Sequence, residues 1–153
     1  MSTSVLSHRR TAVQLAASAV GVVFLLVGVL GFIPGITTGS GIGFAGHASD
    51  AYLLGLFQVS VLHNVVHLLF GIAGLALGAS AGGAKQFLVW GGAIYLVLFV
   101  YGLVFGGASA GNFVPLNAAD NVLHVLLGVG MLGLGLILGR TTATSRAARP
   151  AHH

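Results

Sequence analysis

The sequence predicts an all-α integral membrane protein of four transmembrane helices, arranged as two parallel two-helix repeats about a pseudo-two-fold axis along the membrane normal. Three observations carry this. Apolar residues make up 56% of the chain and charged residues 5%, against about 25% charged in an ordinary soluble domain. The apolar residues fall in continuous runs, without the alternation a membrane barrel strand needs. The stretch Leu62-His63-Asn64-Val65-Val66-His67-Leu68-Leu69-Phe70-Gly71 also recurs 57 residues on, where Asn121, His124 and Gly128 stand for Asn64, His67 and Gly71.

At 153 residues the chain is one domain. Residues 1–10 form a short basic cytoplasmic segment, 11–139 the transmembrane domain and 140–153 a cytoplasmic tail expected to be disordered. The first span covers about residues 12–33. Its length fits a bilayer crossing of about 20 residues and exceeds the apolar region of a cleaved signal peptide. Pro34 and Gly35 end it.

Residues 34–51 read as a loop rich in Gly, Ser and Thr, long enough to fold over the bundle. Tyr52 to Phe57 is apolar but too short to cross, so it is expected at the interface. Ser60 is placed to cap the second span, about 61–78. A tight turn over Ala79–Ala84 leads to the third span, about 86–105, with Trp90 as an interface anchor. Asn117 caps the fourth, about 118–139, and Asp120 suits the positive helix start.

Arg9, Arg10, Lys85, Arg140, Arg146 and Arg149 are the only Lys and Arg residues, and all lie outside the apolar runs. They fall before span one, between spans two and three, and after span four. Both termini are therefore expected in the cytoplasm, in a bacterial cell membrane. These charges suit lipid headgroups, and nucleic acid is not an expected partner. The chain has no cysteine, which excludes disulfides, thiolate metal sites and cysteine catalysis. Abundant glycine suggests a homo-oligomer or another membrane-protein partner.

His63 and His67 are spaced to share one helical face, as are Asp120 and His124. Below them run Gly71, Gly74 and Gly78 on one helix, and Gly128, Met131 and Gly135 on the other. This small-residue seam predicts a close crossing of spans two and four. The polar residues would then meet near the outer face.

Two chemistries fit the cluster. His63, His67, His124 and Asp120 suit a divalent metal, or His67 and His124 a haem iron. The same side chains, supported by Asn64, Asn121, Asn117 and Tyr101, also suit an interhelical hydrogen-bond cluster that organises the bundle and binds a partner. A third arrangement closes His47 or Asp50 of the long loop over a proton-responsive pocket. No nucleophile stands beside the histidines, so a non-enzymatic role is expected. Tyr95 and Trp90 read as core or lipid-facing residues.

The motif from Gly55-Leu56-Phe57 through Leu62-His63-Asn64 to Gly71, followed by Pro115-Leu116-Asn117-Ala118-Ala119-Asp120-Asn121-Val122-Leu123-His124, resembles the uncharacterised four-helix membrane proteins grouped as domain of unknown function 4383. Those occur mainly in actinobacteria, and the likeness covers about Arg10 to Gly139. The chain departs from the pattern at Gln58-Val59-Ser60, where a turn containing Asn and Pro is expected. The resemblance implies four spans and a cell-membrane location, and no activity.

Overall fold

Each of the apolar runs forms a helix. In the computed structural model, which describes residues 9–147, α1 spans Ala12–Leu30, α2 Val61–Gly78, α3 Ala81–Phe105 and α4 Ala118–Ala147. All are long and apolar enough to cross a bilayer, α4 over Ala118–Arg140. The chain is a multi-pass membrane protein.

The helix ends follow from capping chemistry. Ser60 Oγ accepts the His63 backbone N–H at 3.1 Å, so the cap forms despite the departure at Gln58-Val59-Ser60. The backbone N–H groups of Val61 and Leu62 donate to the carbonyls of Gly43 and Phe44, which satisfies the rest of the first turn. Ser80 caps α3 through the Gly83 N–H. That helix therefore begins at Ala81 rather than Gln86, and the turn expected over Ala79–Ala84 shrinks to Ala79 and Ser80.

At α4, Asn117 Oδ1 accepts the Asp120 N–H at 2.9 Å and Asp120 Oδ2 accepts the Asn117 N–H at 3.0 Å, a reciprocal capping box. The tail expected to be disordered from Arg140 is helical as far as Ala147. Residues 141–147 contain no Gly or Pro to stop the helix. Residues 1–8 and 148–153, covering most of the basic N-terminal segment and the end of the tail, lie outside the described residues.

The expected loop and interfacial segment are replaced by a three-stranded antiparallel sheet, in the order β1 (Thr37–Gly41), β2 (Asp50–Leu53), β3 (Phe57–Gln58). The protein is thus mostly helical rather than wholly so. Ala51 and Leu53 of β2 are buried, and with Val59 they pack against Val27 and Leu30 of α1. Leu54 and Gly55 take positive φ to turn β2 into β3. The backbone N–H of Gln58 then donates to Asp120 Oδ2 at 3.1 Å, which fastens the sheet to the start of α4.

At the centre of the bundle α1 faces α3, with Val13, Ala17 and Phe24 against Ala84, Leu88 and Tyr95. The close crossing expected between α2 and α4 does not occur; these helices share no extended contact, and each packs on its sequence neighbour. A Cβ on Gly21 would come 3.0 Å from the Gly71 carbonyl oxygen, and one on Gly92 would come 2.8 Å from that of Gly128. The small-residue seams are therefore used within hairpins, α2 against α1 and α4 against α3. The shortest connection, Ala79-Ser80, joins α2 to α3, so the choice of partner follows from which faces carry matching small residues, where backbones approach closely.

Candidate functional site

At the sheet end of the bundle all four helices contribute a ring to one cluster. His63 and His67, one turn apart on α2, stack with centroids 4.5 Å apart and planes 5° from parallel. His67 Nδ1 lies 3.0 Å from the His63 carbonyl oxygen. A carbonyl only accepts, so Nδ1 carries the proton and Nε2 is an acceptor. The Tyr95 hydroxyl of α3 donates to it across 3.4 Å. The Tyr95 ring also meets His124 of α4 edge-on at 5.1 Å and stacks on Phe24 of α1 at 5.3 Å. His67 and His124 thus meet at Tyr95 rather than at each other.

Beside these rings lies a cavity of about 260 Å³, lined by His63, His67, Tyr95 and His124. Leu62, Val66, Phe70, Leu98, Phe113 and Val114 complete its wall, and no charged residue lines it. Both His63 Nδ1 and His124 Nδ1 are buried without a hydrogen-bond partner. A neutral imidazole nitrogen is either a donor or an acceptor, and a hydroxyl can partner it in both cases. Buried polar atoms ordinarily have partners, and an unmet one marks a place where something binds or strain is held.

A family model described as a domain of unknown function (DUF4383) matches residues 14–137, which take in all but the outermost residues of the four apolar spans, the sheet and every ring of this cluster. The chain belongs to the DUF4383 family. No curated protein and no solved structure matches it. The DUF4383 membership accordingly agrees with the fold and membrane location implied by the motifs, and brings no activity with it.

The remaining site residues of this DUF4383 chain have other tasks. Asp120 turns its carboxylate to the backbone amides of Asn117 and Gln58, and Asn117 Nδ2 donates to the Leu56 carbonyl at 2.7 Å. Both join the sheet to α4. Among the described residues no three His, Asp or Glu side chains are placed to share a metal ion. Of the set His63, His67, His124 and Asp120, the three histidines line the cavity, and the Asp120 carboxylate is held by the cap and sheet amides.

Asn64 and Asn121 press their amides against Gly31, just after α1, and Gly102 of α3. Tyr101 donates to the Gly111 carbonyl and accepts the Phe113 N–H at 3.2 Å, holding the connection between α3 and α4. His47 is exposed and offers its carbonyl to Gln58 Nε2 at 3.2 Å. Asp50 is also exposed. Its side chain bonds to Ser40 hold its carboxyl below the usual carboxylate range. Neither His47 nor Asp50 lines the cavity.

Tyr95 is the ring that sequence reasoning missed. Its signal was present in a second repeat, since Gly21, Phe24, Leu25 and Gly31 recur as Gly92, Tyr95, Leu96 and Gly102. The exchange of Phe for Tyr at matched positions places one hydroxyl in the core.

Proposed function

We propose that this chain is a non-enzymatic protein of the cell membrane that binds a small uncharged molecule carrying a hydroxyl group, in the cavity between His63, His67, Tyr95 and His124. One observation carries this: His63 and His124, two rings of that wall, each keep a nitrogen without a partner. A single hydroxyl both donates and accepts, so it can serve a bare nitrogen and an N–H together. With no charged group in the lining, an ion would be buried unpaired at a cost of several kcal/mol or more.

The finer architecture belongs to the same proposal. The hairpins α1–α2 and α3–α4 are parallel repeats; the matched pairs Gly21–Gly71 with Gly92–Gly128, and Gly31–Asn64 with Gly102–Asn121, support this. The sheet end faces outward, supported by Arg9, Arg10, Lys85 and Arg140 falling at the other end of the spans. The cluster then joins the repeats near the outer surface.

The test is thermal unfolding of the purified protein in micelles with 4-ethylphenol, an uncharged ring with one hydroxyl. The melting temperature should rise saturably, and the rise should disappear in His63→Leu and in His124→Leu. A wild-type protein that does not respond ends the proposal.

A further inference from the structure

Phe70 stands in the wall of two recesses. On one side is the polar cavity. On the other is a recess of about 390 Å³ between α2 and α3, which includes Ala73, Leu77, Trp90 and Ile94. Its polar side chains are Trp90 and Gln86, and Trp90 Nε1 donates to Gln86 Oε1 at 2.9 Å. Leu69, Leu77, Trp90 and Ile94 are exposed along it, on helices apolar enough to lie in lipid. The first recess therefore suits a hydrogen-bonding head, and the second, apolar apart from Gln86 and the Trp90 N–H, suits hydrocarbon.

We infer that the ligand is an amphiphile taken from the bilayer: an uncharged hydroxyl-bearing ring in the cavity, with a hydrocarbon chain passing Phe70 into the α2–α3 recess toward Trp90. This rests on the binding proposed above and adds the class of molecule. From Phe70 to Leu77 the helix rises about 10 Å, a length that an extended alkyl chain covers. A chain moving from lipid into the recess gains little from leaving water, so packing supplies the contact and the ring supplies the selectivity.

Trp90 is the one tryptophan, so it reports on the far recess. The probe is 4-dodecylphenol brominated at the chain end, added to the protein in micelles while Trp90 fluorescence is followed. Saturable quenching is expected, reversed by excess 4-ethylphenol, which occupies the head site alone. Ala73→Phe, which fills the recess, should lose the saturable quenching while keeping the thermal response to 4-ethylphenol. Quenching that rises linearly and resists competition overturns the chain path, and if 4-ethylphenol still stabilises the protein the head site stands. Failure of both compounds removes the site altogether.

Discussion

The Tyr95 hydroxyl of α3 donates to His67 Nε2 of α2 across 3.4 Å, so a side-chain hydrogen bond inside the bundle links one helix hairpin to the other. Tyr95→Phe keeps the ring against Phe24 and His124 and strips His67 Nε2 of its donor. Interhelical bonds of this kind average about 0.6 kcal/mol in membranes. The variant should lose roughly 0.5–1.5 kcal/mol, measured by reversible unfolding in micelles. Combining it with His67→Phe should recover about 0.5 kcal/mol of coupling. Strictly additive losses would mean that the two groups do not interact.

Gly31 and Gly102 are each pressed by an asparagine amide from the next helix of their hairpin. Alanine at either position should cost about 1–3 kcal/mol, since the added Cβ meets Asn64 or Asn121. Gly130 and Gly133 have nothing within 4 Å of an added Cβ. Alanine there should change stability by no more than about 0.5 kcal/mol. Equal effects at both pairs of positions would refute close packing as the reason for the glycines.

Asp120 holds the Gln58 and Asn117 backbone amides. Asp120→Ala removes a helix cap and the tie to the sheet together, with an expected cost of about 1–2 kcal/mol. Hydrogen exchange should locate the loss, because the Gln58 amide speeds up while amides midway along α4 do not. Asp120→Asn retains an acceptor and should fall between the two proteins. Unchanged exchange at Gln58 would show that the carboxylate does not hold the sheet.

The Asp50 carboxyl is held below its usual range by the Ser40 side chain first and by the Ser40 backbone N–H second. A depressed folded-state pKa means that the contribution to the sheet is present above the unfolded value of about 3.9 and is lost as pH falls through the folded value. Exchange of the Ser40 amide should therefore quicken below about pH 4. Asp50→Asn should show no such step. A step of equal size in that variant would assign it to another group.

Much of the fold was legible because the bilayer makes simple demands. Long apolar runs must become helices to satisfy their backbone groups, and Ser60 and Asn117 could be recognised as caps from residue type and position alone. The sheet was not legible in the same way. Its strands are short, β1 carries two glycines, and the buried pair Ala51 and Leu53 is too brief an alternation to stand out. The polar residues were found in sequence, but Asp120 and His63 occupy matched positions and do different work. One carboxylate meets two backbone amides, while one imidazole joins a stack of rings.

Residue order by itself determined the four crossings, the caps of the second and fourth, and the concentration of imidazoles at one end, because each depends on neighbours a turn or a bilayer thickness away along the chain. Only the tertiary structure decided which helix each glycine seam would meet, and that Tyr95 would stand between His67 and His124. Those outcomes depend on how closely backbones from separate spans approach. A periodic face shows that a helix has a partner side, and the shape of the neighbouring surface determines which partner fits.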